Sequence, residues 1–129
     1  MFKFRRSIRL DGPGAEKLAR HHLEDQGLKY LQANFRTPRG EIDLIMQDGN
    51  DLVFVEVRYR RSDRFGSADE TVTAAKQRRL ILTAQAFLQN RKLYGKVGCR
   101  FDVVSITQNA IDNTHRITWH RDAFHPEYR

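Results

Sequence analysis

The sequence predicts an α/β domain, a sheet of about four or five strands flanked by helices, and three observations carry that expectation. Two apolar alternating runs meet at Asp48-Gly49-Asn50-Asp51 within Gly40–Arg61, the pattern of a β-hairpin with a longer loop. Helical periodicity flanks it over Ala15–Gln26 and Val72–Gln89. Two more strand-like runs, Cys99–Thr107 and His115–His120, follow. At 129 residues, 40% of them hydrophobic, the chain suits one compact domain over 1–129, with a basic arm over about 1–13.

That arm, Met1–Pro13, carries Lys3, Arg5, Arg6 and Arg9 with Phe2 and Phe4, and ends in Asp11-Gly12-Pro13-Gly14. It reads equally as a nucleic-acid contact with stacking phenylalanines or as a solvated terminus. In the first helix Ala15, Leu18, Ala19 and Leu23 form the inward stripe, and Gly27 is a natural stop. Glu16 borders that stripe; periodicity alone makes it a solvated acid that favours the positive helix N-terminus. His21 and His22 are adjacent and lack the i, i+4 spacing of a helical zinc pair. Leu28–Leu31 is a short strand candidate, and Ala33–Arg39 connects it to the hairpin through Thr37-Pro38, with Phe35 in the core.

The hairpin register decides what its acids can do. With Asp43 opposite Glu56, Ile42, Leu44 and Met46 share an apolar face with Val53, Val55 and Val57, while Glu41, Asp43, Glu56 and Arg58 share the other. A slip by one residue would drive both acids among the valines, so the parity is well specified. Opposed carboxylates repel unless a cation or a shared proton intervenes. Two carboxylates on rigid strands suit Mg²⁺ or Mn²⁺, which prefer oxygen ligands. A slip by two residues keeps the faces but sets Asp43 against Arg58, a structural ion pair without chemistry, and spacing alone leaves the two readings level.

Beyond the hairpin, Arg60, Arg61 and Arg64 lie in a loop running to Thr71, beside the proposed metal site, where cations would neutralise phosphates. The second helix places Val72, Leu80, Ala84, Phe87 and Leu88 inward with Thr83. Lys76 falls on the same stripe; its ammonium either reaches the acids or snorkels to solvent, while Arg78 and Arg79 face elsewhere. Asp102, a lone acid in a strand, reads as hydrogen-bonded or edge-exposed rather than as a ligand. Trp119 reads as core, and Cys99 as a small packed residue beside a strand.

The net charge of +7 and pI near 10.0 attract phosphate backbones or anionic surfaces and say nothing of fold. One cysteine excludes an internal disulfide and a cysteine-rich zinc cluster, and fits a reducing compartment. No apolar run approaches a membrane span, and Met1–Leu10 lacks the apolar core of a signal peptide. A cytoplasmic protein without membrane contact is expected.

Gly14-Ala15-Glu16, Asn34-Phe35-Arg36, Gly40-Glu41-Ile42-Asp43-Leu44-Ile45, Phe54-Val55-Glu56-Val57-Arg58, Phe65-Gly66 and Lys76, in that order, resemble the YraN-like family. That family belongs to the restriction-endonuclease-like superfamily and is similar to archaeal Holliday-junction resolvases. The resemblance implies a restriction-endonuclease-like mixed sheet and a metal site in which Asp43 matches the superfamily's aspartate, Glu56 the acid of its (D/E)xK element and Glu16 its helical glutamate. The departure is Arg58, which stands where the superfamily has lysine. Arginine stays charged and cannot accept a proton, so Arg58 is suited to a phosphate rather than to a proton-transfer role.

Two functions are therefore expected. The first is a Mg²⁺- or Mn²⁺-dependent endonuclease acting on DNA, branched or damaged, with Glu16, Asp43 and Glu56 as metal ligands, Arg58 and Lys76 positioning water or phosphate, and Arg60, Arg61 and Arg64 on the nucleic acid. The second is a nucleic-acid-binding module of the same fold without turnover. Many nucleases of this class are dimers, but no homodimer interface is legible in the sequence.

Overall fold

The computed structural model describes residues 9–62 and 72–126, and within them the order is α1 (Gly12–Asp25), β1 (Lys29–Thr37), β2 (Gly40–Asp48), β3 (Asp51–Ser62), α2 (Ala74–Asn90), β4 (Cys99–Asn109) and β5 (His115–Phe124). The five strands lie side by side in chain order, antiparallel except for β3 and β4. That parallel pair is joined by α2, as a crossover requires. The expected mixed α/β sheet is thus present. Among these residues no helix is long and apolar enough to cross a membrane.

Each face of the sheet carries one helix. Ala15, Ala19 and Leu23 of α1 pack on Leu44, Met46, Val53, Val55, Val104 and Ile106. On the other face Leu80, Ala84, Phe87 and Leu88 of α2 pack on Ile42, Ile45, Phe54, Phe101 and Val103. Phe87 meets both Phe35 and Phe54 edge to face, with ring centroids 5.2 and 6.0 Å away. Burying both faces corrects the expectation of one wholly apolar face and one polar face. Ile42 also changes sides: it joins Ile45 against α2, because the ladder is interrupted at Asp43, between Ile42 and Leu44.

Several boundaries differ from the sequence reading. Helix α1 begins at Gly12, since Asp11 is its N-cap, accepting from the Gly14 N–H at 2.7 Å, with Pro13 in the first turn. It ends before Gly27, whose φ of +100° explains the glycine. Removing the cap by Asp11→Ala should cost about 1 kcal/mol, read as a fall of a few degrees in Tm.

Ala33–Arg39 is no connector: β1 runs from Lys29 to Thr37 and turns through Pro38-Arg39 into β2. Its register shift after Tyr30 and the positive φ of Asn34 (55°) hide the period of two. The β2–β3 connection is shorter than expected, because Asp48 and Asp51 pair around Gly49-Asn50. Strand β5 continues to Phe124, which is buried and stacks on Phe101 at 4.9 Å. Gly40, where β2 starts, lies against α2: a β-carbon there would come within 3.1 Å of Thr83 Oγ1. Cys99 is exposed at the start of β4 rather than packed.

Candidate metal centre

The acids gather at the end of the β2–β3 hairpin remote from its turn. Leu44 pairs with Val55, so the same register sets Asp43 opposite Glu56, as read from the alternation. The ladder stops there, and Asp43 Oδ2 instead accepts the Val57 N–H at 2.8 Å. Across β1, Ala33–Leu44 and Phe35–Ile42 are paired while Asn34 turns out with positive φ. This irregularity lets Asp43 meet Glu16 of α1 as well as Glu56. The Asn34 amide nitrogen, oriented to satisfy its neighbours, donates to Glu16 Oε1 (3.2 Å) and Glu41 Oε2 (3.0 Å). Four carboxylates from α1, β2 and β3 thereby form one neighbourhood.

Its electrostatics are unbalanced around Asp43. Burial, followed by the charge of Glu56, pushes the Asp43 carboxyl up to about 7, with Glu16 and Glu41 adding to the rise and the Val57 N–H opposing it. Burial also raises Glu16, against the hydrogen bond from Asn34. The charges that act most strongly on Asp43 are negative, so a proton or a cation is favoured there.

Two outer acids have partners. Arg36 Nε lies 2.9 Å from Glu41 Oε2. Lys76 Nζ lies 2.5 Å from Glu56 Oε2, with Glu56 only 6% exposed. Lys76 therefore points from α2 towards the acids, and Thr73 caps the helix by accepting the Lys76 N–H. An ammonium stands beside the acid whose own strand carries Arg58 in place of lysine.

An all-carboxylate donor set suits Mg²⁺ or Mn²⁺ in chemistry. Among the described residues, no three His, Cys, Asp or Glu side chains already converge on one cation position. Glu16, Asp43 and Glu56 are the residues that would hold it.

Arg58 is half-buried on β3, paired in register with Ser105 of β4, and Arg60 is exposed two residues on. Arg61 is directed to a structural hub: its guanidinium donates to Gln108 Oε1 (3.0 Å), Asn113 Oδ1 (2.8 Å) and the Ala110 carbonyl (3.1 Å). Gln108, fully buried, also accepts from the Leu10 N–H and the Tyr59 hydroxyl. Arg64, Phe65-Gly66 and most of the arm lie outside the described residues. Asp102 accepts from Arg100, which also pairs with Asp48, from Trp119 Nε1 at 2.9 Å and from the Asp122 N–H, the hydrogen-bonded role expected of it.

Comparison with known sequences places this constellation in a group. The profile of the uncharacterised protein family UPF0102 matches residues 15–106, which includes every acid of the site and Lys76. The chain belongs to UPF0102. A UPF0102 protein of Coxiella burnetii strain RSA 331 is 50% identical over 117 residues, covering 91% of this chain and 93% of the relative. One from Nitrosococcus oceani is 51% identical over 90% of this chain and 92% of its own length. One from Pseudomonas aeruginosa strain PAO1 is 46% identical, with coverages of 93% and 96%. UPF0102 membership bears out the YraN-like resemblance read from the motifs, and the restriction-endonuclease-like superfamily with it.

Two members of the candidate site were not singled out from sequence. Glu41 was placed only on a polar face, and Asn34 only within a motif. The available signal was an asparagine, a residue that tolerates positive φ, interrupting an otherwise extended run.

Proposed function

We propose that the protein is a divalent-metal-dependent nuclease that hydrolyses phosphodiester bonds in DNA, acting in the cytoplasm. The observation carrying this reading is that the charges of Glu56, Glu16 and Glu41 all bear on the part-buried Asp43, with Lys76 held beside Glu56. When bound, Mg²⁺ or Mn²⁺ acidifies water for attack and offsets the charge that develops on the phosphodiester. Asp43 anchors the site: the Val57 N–H fixes one of its oxygens, and its carboxyl also hydrogen-bonds that of Glu16, a contact that a cation would replace. Lys76, oriented by Glu56, positions a water or a phosphate oxygen, and Arg58 neutralises phosphate without accepting a proton. The net charge of +7 supplies the long-range attraction to a polyanion.

The test begins with binding, since the right substrate is a separate unknown. Titrating Mn²⁺ into wild type and Asp43→Ala by calorimetry should show one site in the first and none in the second. Binding that survives the substitution would sink the metal assignment. With DNA substrates, Asp43→Ala should abolish cleavage while leaving affinity largely intact.

A second reading, a nucleic-acid-binding module without turnover, draws on the Lys76–Glu56 pair itself, which already neutralises one proposed ligand. It predicts salt-sensitive binding and no cleavage. Arg58→Lys separates the two, raising the rate of a weak nuclease and leaving a binding module unchanged.

A further inference from the structure

A furrow opens between α1 and the edge strand β1, immediately beside Glu16 and Asn34. Its volume is about 230 Å³, and Lys17, Arg20, Tyr30 and Asn34 line it, with Leu44 beneath. Ligand pockets for drug-sized molecules start near 300 Å³, so this one suits a single planar group rather than a whole duplex. Its wall is itself planar. The Arg20 guanidinium lies over the Tyr30 ring, 3.6 Å from the centroid, and its Nε is held by Glu24 Oε2 at 3.4 Å. Arg20 is one helical turn after Glu16, so this platform stands on the same flank of α1 as the acid.

Flat guanidinium and aromatic faces are what unpaired bases stack on, and a platform already held in place loses little further freedom on binding. Lys17, exposed at the furrow's mouth, supplies the charge for a backbone phosphate. Asn34 closes the end towards Glu16 and Glu41. The furrow is therefore continuous with the candidate metal centre, since Glu16 and Asn34 line it too.

We infer that this furrow takes an unpaired nucleobase, stacked on Arg20, from the nucleotide next to the phosphate that Lys76 and Arg58 would position at the candidate metal centre. The inference rests on the nuclease reading and narrows its substrate: the strand must leave the duplex beside the site, as it does at a fork, gap or frayed end. A continuous duplex cannot present its base to the furrow without first breaking a pair.

The full-length chain is titrated, in EDTA so that turnover cannot intervene, with two DNA duplexes of equal length. One is fully paired; the other ends in a fork with 2-aminopurine as its first unpaired base. Wild type should bind the fork about tenfold more tightly and change the 2-aminopurine fluorescence on binding. Arg20→Ala should remove most of that preference while leaving affinity for the paired duplex within about twofold. Arg20→Lys, which keeps the charge but not the plane, should lose it too. Lys17→Ala should weaken both complexes alike and lower the salt slope by about one.

Equal affinity of wild type for the two DNAs would overturn the furrow assignment, even if the protein cleaves. So would an Arg20→Ala loss of equal size on both, which would make Arg20 a general cation. Fork preference lost with Arg20 in a protein that never cleaves would uphold the furrow and count against the nuclease.

Discussion

Asp43→Asn should make the protein more stable above pH 7 while removing its affinity for Mn²⁺. Asparagine keeps an oxygen for the Val57 N–H, so the hairpin end stays closed. What it removes is a carboxylate that folding places among Glu56, Glu16 and Glu41. The folded pKa of Asp43, about 7, lies above its unfolded value of 3.8, so the folded state favours the protonated form. The corresponding stability is fully present below pH 4 and is lost as pH rises through 7. The asparagine variant has no such loss. Its advantage over wild type should be near zero at pH 4, grow across the interval and reach about 1–3 kcal/mol by pH 8, measured by urea unfolding.

Metal binding should run the other way. A cation must displace the proton from Asp43, so wild-type affinity for Mn²⁺ should rise as pH passes through 7. The variant should lose more than about a hundredfold, since even the supporting partners of a metal ligand are worth 10–100-fold. Stability gained and metal lost by one substitution is the signature of a site that folding alone does not favour. A variant less stable than wild type at pH 8 would mean that the Asp43 carboxylate is a structural partner instead.

The division between what the sequence revealed and what it hid follows from the same irregularity. The hairpin parity was legible because slipping it by one would bury two acids among valines, and the observed Leu44–Val55 register obeys it. The α2 stripe was legible because Leu80, Thr83, Ala84, Phe87 and Leu88 repeat at helical spacing, and all are buried. Beyond the Leu28–Leu31 candidate, β1 was hidden because its alternation slips at Gln32–Ala33 and Asn34 breaks the extended run. The transfer of Ile42 to the α2 face was hidden for a related reason, since a period-two argument cannot see an interrupted ladder. Glu16 shows the limit for the site: its position on α1 is helical arithmetic, but its meeting with Asp43 depends on how α1 crosses the sheet. The resemblance singled it out where periodicity could not.

Lys76 poses the complementary experiment. Lys76→Met keeps the length of the stem and removes the ammonium, leaving Glu56 buried beside Asp43 without its partner. Breaking a fully buried pair costs about 3–5 kcal/mol. The Lys76 side chain is 42% exposed, so solvent screening should reduce the loss to about 1–3 kcal/mol, without added metal. Mn²⁺ should restore much of that stability, because a cation that binds only the folded chain stabilises it by mass action. The variant should bind Mn²⁺ about tenfold more tightly than wild type, since a competing positive charge has left the site. Turnover should nonetheless fall if Lys76 positions water or phosphate. Tighter metal with slower cleavage would assign the lysine to the reaction; weaker metal would show that the ammonium holds Glu56 in the orientation the cation needs; unchanged stability and affinity together would reduce the pair to a surface contact.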